Sequence, residues 1–222
     1  MVIRMGLVKH FYILAIIILC TSCTVKVNPV LETSLGMNVF ERMKVIDQHD
    51  ASIALYMDPK IKDLQIQQKI RSGEFSFNIG KAFSVKLIKA LAYSFKTIHL
   101  VNQPTYKGSD LVNGLMRVTL QDVDVNLQVK PGWSNVTTEA YTRLSIRAEI
   151  QDIETKKTIW VGTTRAHQTG KTEEYARMTY QEAGRGFAVG IDEAIDNAIG
   201  DLIGQMQKSK NLQEYFGKWE DR

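Results

Sequence analysis

Alternation of apolar and polar side chains predicts strands in five segments of the chain. A period of two places successive side chains on opposite faces of a sheet, as a half-buried strand requires. The clearest case is the segment 141–150, where Leu144, Ile146, Ala148 and Ile150 alternate with charged or hydroxyl side chains. The same reasoning assigns strands to residues 51–57, 97–101, 111–129, 141–150 and 158–166.

Two further segments repeat their apolar residues every three or four positions, which predicts amphipathic helices. They are residues 78–95 and residues 187–206. Each has one apolar stripe and one polar face, so each should pack against the sheet by one side. The side chains predicted to face solvent are Lys81, Lys86 and Lys89 on the first helix, and Asp192, Glu193, Asp196 and Asp201 on the second.

The strand predicted at 111–129 changes phase near its middle. Met116, Val118 and Leu120 occupy even positions, whereas Val123, Val125, Leu127 and Val129 occupy odd positions. Because a period of two cannot change phase without an extra residue, a β-bulge or bend is predicted near Gln121-Asp122. Pro131-Gly132 then predicts the turn into the next strand.

These elements predict an α+β fold, a two-layer sandwich in which a mixed or antiparallel sheet of about five strands packs on two helices. One face of the sheet should meet the core and the other should meet water or a partner. Residues 51–222 are long enough for a single domain with a full core. Residues 23–50 are predicted to tether that domain to a membrane, and residues 63–77 receive no assignment.

The first 23 residues have the parts of a secretory signal. Arg4 and Lys9 supply positive charge, residues 11–19 form an unbroken apolar run, and small residues precede Cys23. An ordinary cleaved signal or an uncleaved anchor are the alternatives. A spanning helix, however, needs about 20 apolar residues, and this run is much shorter.

Cys20-Thr21-Ser22-Cys23 resembles the lipobox of bacterial lipoproteins, with Cys20 where an aliphatic residue is usual. The resemblance implies that residues 1–22 are removed and that Cys23 is acylated, with palmitate among its acyl groups. In the best-known sorting system, the signal for retention in the inner membrane resembles Asp directly after the acylated cysteine. This chain has Thr24 at that position, which implies an outer-membrane lipoprotein facing the periplasm. Cys23 is then the only cysteine of the mature chain, so lipidation also explains an otherwise odd cysteine.

Charge and side-chain chemistry predict no enzyme, no cofactor and no metal site. The formal net charge of +4 falls to +2 when Arg4 and Lys9 leave with the signal, which is too little to indicate nucleic-acid binding. Gly170-Lys171-Thr172 lacks the first glycine of a phosphate-binding loop. The remaining candidates are His49, His99 and His167, without metal-ligand spacing, and the strand carboxylates Asp122, Asp124 and Glu149.

Four aromatic residues are the candidates for partner binding. Trp133 lies in the turn predicted after Gly132, and a large exposed aromatic is a favoured interface anchor. Tyr215, Phe216 and Trp219 form an aromatic tail after the last helix. In each case the alternative is that the side chain folds back on the core.

The C-terminal part of the chain resembles the YajG-like bacterial lipoproteins. The resemblance is carried by residues 190–203 and 211–216, together with the signal and a β-α-β-β-β-α layout. Auxiliary lipoproteins of envelope ABC transporters and the N-terminal domain of TolB have a similar layout. This implies a non-enzymatic accessory or assembly factor of the cell envelope, with an envelope protein partner or a second copy of itself. The alternatives are a lipopolysaccharide-assembly or lipid-transport lipoprotein with a basic surface at Lys81, Lys86 and Lys89, and a periplasmic hydrolase.

Overall fold

The computed structural model describes residues 24–43, 48–108, 111–133, 135–175 and 178–220. The chain forms eight strands and five helices within these ranges. The strands are β1 (Val25–Val27), β2 (His49–Met57), β3 (Ile66–Ile70), β4 (Gly73–Phe77), β5 (Phe95–Val101), β6 (Gly114–Pro131), β7 (Asn135–Asp152) and β8 (Thr158–Tyr175). The helices are α1 (Met37–Met43), α2 (Pro59–Lys62), α3 (Ile79–Ser94), α4 (Tyr180–Gln207) and α5 (Lys210–Glu220).

The larger sheet has the strand order β5-β2-β6-β7-β8. β2 is parallel to both β5 and β6, whereas β6, β7 and β8 form an antiparallel meander of three 18-residue strands. Helices α3 and α4 pack on one face, so the predicted α+β fold with a mixed five-stranded sheet is confirmed. β6 lies close to its predicted segment, whereas β7 begins six residues earlier and β8 ends nine residues later than predicted, because those outer parts carry fewer large apolar side chains.

The bulge predicted in β6 is present. Leu120 pairs with Ile146 and Asp122 pairs with Ser145, so Gln121 is the extra residue between two regular stretches. Insertion of one residue in one strand is what allows the apolar side chains on both sides of Gln121 to face the same core.

The segment 63–77, which had no assignment, forms most of a second, smaller sheet. Its strand order is β1-β4-β3, with β4 parallel to β1 and antiparallel to β3. Phe75 and Phe77 of β4 are fully buried and extend the core below α4. The sequence signal was weak because β3 consists of two glutamines and a lysine between two isoleucines.

Residues 24–43 belong to the fold, although the sequence suggested a tether there. Val27, Leu31, Val39 and Met43 are all buried in the main core. These apolar residues have no regular spacing, so periodicity could not reveal them. Burial of each one removes apolar surface from water and therefore holds the segment against the domain.

Helix α4 lies unusually close to the meander where glycines face each other. A Cβ added to Gly190 would lie 2.8 Å from the Cα of Gly170 on β8. The helix begins with a capping box in which Thr179 and Glu182 each accept the other's backbone N–H. Gly190 and the capping box together set where α4 crosses the sheet.

Candidate binding surface

One face of the β6–β7–β8 meander packs on α4, and no helix or sheet of the described residues packs on the other face. On β7 the even-numbered residues from 138 to 150 are all buried against the core. The open face consists of the odd-numbered residues 137–149 of β7 and 161–173 of β8, with residues 117, 119 and the even-numbered 122–130 of β6. Most of these side chains are exposed or half-buried, whereas Thr137 and Ser145 are buried.

Arg143 lies at the centre of the open face and bridges two carboxylates of β6. Its Nε lies 3.0 Å from Asp122 Oδ2 and its terminal nitrogen lies 3.6 Å from Asp124 Oδ2. The three side chains are about half exposed, so each pair adds no more than about 1 kcal/mol to stability. Their effect is to hold the arginine in a defined position on the surface.

The same alternation of charge continues along the open face. Arg117 pairs with Glu149 at 3.1 Å, and the Arg147 guanidinium lies 3.8 Å from the other oxygen of Glu149. Near the hairpin end, Lys130 pairs with Glu139. Asp122, Asp124 and Glu149, which the sequence offered as possible catalytic carboxylates, are therefore all paired with arginines.

Tyr141 and His167 provide the aromatic part of the open face. The Tyr141 hydroxyl lies 3.5 Å from His167 Nδ1, and both side chains are exposed. No group of three or more histidine, cysteine, aspartate or glutamate side chains suited to a metal ion occurs in the described part of the chain. The arrangement can therefore make polar and stacking contacts with another surface.

The open face ends at a strand edge. β8 is the last strand of the larger sheet, and no strand within the described ranges pairs with its outer edge. Part of this edge is used by α4, since the Gln205 side chain donates to the Thr163 carbonyl over 3.0 Å. Exposed Arg165 and Lys171 also project from β8, and charged side chains discourage uncontrolled strand pairing.

The four aromatic candidates separate in the structure. Trp133 is fully exposed at the β6–β7 turn, with a relative accessibility of 105%, so it does not fold back on the core. Tyr215 and Phe216 are buried, at 9% and 1%, and belong to the core. The side chain of Trp219 and the whole of Cys23 lie outside the described residues.

The side chain of Tyr215 holds α5 against the end of the larger sheet. Its hydroxyl lies 2.5 Å from the Asn113 carbonyl and 2.6 Å from Asp152 Oδ2, which share its single proton. Burial and the neighbouring carboxylate raise the tyrosine pKa. Burial alone would raise the pKa of Asp152, but hydrogen bonds from Tyr215 and Thr155 outweigh it and lower that pKa. Tyr215 and Phe216 of the predicted aromatic tail therefore cover the core.

Lys86 is buried, contrary to the prediction that it faces solvent. Its ammonium lies 3.3 Å from Asp192 and 3.0 Å from Asp196, two α4 residues that were also expected on a polar face. Burial raises the pKa of Asp192, which also accepts the backbone N–H of Glu32 at 2.9 Å. The basic surface expected for a lipopolysaccharide-assembly protein therefore loses Lys86. The available signal was its spacing, because Lys86 lies four residues after Ala82 and four before Ala90, which belong to the apolar stripe.

No family model and no curated protein matches the chain. Among solved structures it is similar to a Xanthomonas campestris protein of family DUF330, with a TM-score of 0.50 and 6% identity over 89% of this chain and 99% of the other. It is also similar to a putative neuraminyllactose-binding hemagglutinin homolog from Helicobacter pylori, with a TM-score of 0.46 and 10% identity over 87% and 100% of the two chains.

A third similar structure is a minor lipoprotein from Acinetobacter baumannii, with a TM-score of 0.33 and 12% identity over 72% of this chain and 92% of the other. No helix in the described ranges is both long and apolar enough to cross a membrane. The likeness to the Xanthomonas protein shows the fold alone, and the other two scores are too low to carry an argument about function.

Proposed function

We propose that this chain is a non-enzymatic lipoprotein, anchored in the outer membrane and facing the periplasm, that binds a protein of the cell envelope as an accessory or assembly factor. The observation that carries the binding role is the open face of the meander. Three 18-residue strands present it without a covering layer, and ion pairs hold its charged groups in place.

The charge pattern of the open face suits a protein partner. Arginines and lysines alternate with aspartates and glutamates in the same rows, as in the Arg143 group. A polyanion such as nucleic acid would meet the carboxylates as well as the cations, and like charges across an interface cost several kcal/mol. A protein surface with its own mixture of charges can match both signs.

The anchoring part of the proposal rests on the first 24 residues. The lipobox-like sequence ending at Cys23 supports acylation, and Thr24 supports the outer membrane. Two or more acyl chains on one cysteine are sufficient for stable anchoring, whereas a single chain binds only marginally. The resemblance to YajG-like lipoproteins supports the same role.

Lipidation is tested by replacing the acylated residue. The Cys23→Ser variant should lose incorporation of labelled palmitate and should leave the membrane fraction, while a Cys20→Leu variant should retain both. Continued labelling of the Cys23→Ser protein would contradict the anchor. Separation of inner and outer membranes tests the location, and recovery with the inner membrane would refute the outer-membrane assignment.

Partner binding is tested with photo-crosslinking amino acids placed in living cells. Positions Arg147 and Thr163 are exposed on the open face, and Lys81 on α3 is an exposed control away from it. We expect the same adduct from both face positions, none from Lys81, and a clear loss of adduct when Arg143→Glu is added. Equal adducts from Lys81, or adducts insensitive to Arg143→Glu, would count against the open face.

A further inference from the structure

The fold begins almost immediately after the residue proposed to carry the lipid. Val25 is already the first residue of β1, where it pairs with Gly73, and its N–H donates to the Ser72 carbonyl over 2.7 Å. In the sequence Thr24 is the single residue between Cys23 and Val25, so a lipid on Cys23 is joined to β1 through one residue. This leaves no room for a flexible tether between lipid and domain.

The direction of β1 shows which end of the molecule adjoins the lipid. Because β1 is parallel to β4, Val25 lies beside the β3–β4 turn formed by Arg71 and Ser72. That turn adjoins the start of α4, since a Cβ on Gly73 would lie 2.6 Å from the ring of Tyr180. The chain therefore enters the fold at the N-terminal end of α4.

The tip of the β6–β7 hairpin lies at this same end. Gly186, in the second turn of α4, packs against Thr138, three residues from the start of β7. The first turn of α4 therefore lies level with the residues that lead into the hairpin tip. We define the anchor end as residues 24–26, the turn 71–72 and the hairpin tip 131–133.

The exposed side chains of the anchor end suit a lipid surface. Trp133 projects fully from the hairpin tip, where Gly132 closes the turn by donating to the Asn135 carbonyl over 2.7 Å. Tryptophan is enriched at membrane–water interfaces because its ring is apolar and its N–H is polar. Exposed Lys26 on β1 and Arg71 in the β3–β4 turn belong to the same end, and basic side chains are attracted to the negative surface of an anionic bilayer.

We propose that the anchor end lies against the bilayer surface with the indole of Trp133 in the headgroup region. This inference rests on the lipidation of Cys23 proposed above. The meander strands then run away from the membrane, and 18 residues at about 3.3 Å each span about 60 Å. The open face is thereby held upright in the periplasm, with its length presented to a partner rather than to lipid.

The test uses the full lipidated protein in vesicles of phosphatidylethanolamine and phosphatidylglycerol. With Cys20 removed and Cys23 acylated, an introduced cysteine is the single reactive thiol of the mature chain. An environment-sensitive fluorophore is attached in turn at Trp133→Cys, at Ser72→Cys, and at Glu154→Cys in the exposed turn between β7 and β8. Ser72→Cys keeps Trp133, so it reports on the undisturbed anchor end.

We expect blue-shifted emission and quenching by bromine-labelled lipid at positions 133 and 72, and neither effect at position 154. Inserting twenty glycine and serine residues after Cys23 adds a flexible tether of about 25 Å, and should reduce the quenching at position 72. If the protein floats with the vesicles but position 133 is as unquenched as position 154, the orientation is wrong and the anchor stands. If the protein does not float, anchor and orientation fail together.

Discussion

At the scale of single residues, the most constrained charge is the ammonium of Lys86. It is 1% exposed and has two carboxylates, Asp192 and Asp196, within 3.3 Å. An ion group buried in this way contributes little net stability, but removal of one member leaves uncompensated charge. Here it also specifies how α3, α4 and the segment at Glu32 fit together.

Replacing Lys86 with methionine should therefore destabilise the protein by about 3–5 kcal/mol. The change keeps most of the side-chain volume and leaves two carboxylates facing each other in the interior. Urea unfolding measures the loss, and Lys81→Met on the exposed side of the same helix should change stability by less than about 0.5 kcal/mol. Equal effects of the two substitutions would show that the ion group is not buried in solution.

Tyr215 makes a second prediction that depends on pH. Tyr215→Phe removes a hydrogen bond to a charged acceptor and should cost about 1.5–3 kcal/mol near neutral pH. Because Asp152 has a lowered pKa in the folded protein, its stabilisation is present above its unfolded value of 3.8 and disappears as pH falls through the folded value. The variant should therefore lose less stability on acidification than the wild type.

Unfolding measured by circular dichroism from neutral pH into the acid range tests both parts. Tyr93→Phe is the matched control, because Tyr93 is half exposed and its ring contact with Phe40 does not need the hydroxyl. An unchanged acid response in Tyr215→Phe would mean that Asp152 is not held by the tyrosine.

At the scale of elements, the contact between α4 and the meander depends on the absence of side chains at two positions. Gly190 faces the backbone of Gly170 and the Cβ of Ala140. Elsewhere on the same helix Gly204 has open space around it, with nothing within 4 Å of an added Cβ. Two glycines of one helix therefore have opposite roles.

Gly190→Ala should destabilise the protein by about 1–3 kcal/mol, because backbone atoms cannot move aside for the new methyl group. Gly204→Ala should instead stabilise it by up to about 1 kcal/mol through helix propensity. Thermal or urea unfolding of the two variants gives the comparison. Stabilisation by both substitutions would contradict the close approach of α4 to β8.

At the scale of the whole molecule, the N-terminal segment closes the fold and joins it to the residue proposed to carry the lipid. Leu31 is 5% exposed whereas its neighbour Val30 is 88% exposed. A tether would leave both side chains in water, so this pair distinguishes a docked segment from a flexible one.

Leu31→Ala should cost about 2–5 kcal/mol by leaving a cavity, while Val30→Ala should change stability by less than about 0.5 kcal/mol. Both are measured by urea unfolding of the chain that starts at Thr24. If neither substitution has an effect, residues 24–43 do not dock in solution, and the orientation proposed for the anchor end loses its basis.

The sequence by itself determined the fold class, the five strands of the larger sheet, both long helices and the bulge at Gln121. These features depend on periodic burial, and periodic burial is visible in the order of apolar and polar residues. Only the tertiary structure decided the placement of Lys86, the docking of residues 24–43, the smaller sheet and the exposure of Trp133. Those outcomes depend on contacts between residues far apart in the chain, such as Lys86 with Asp192, and no local pattern records which distant side chain will be the partner.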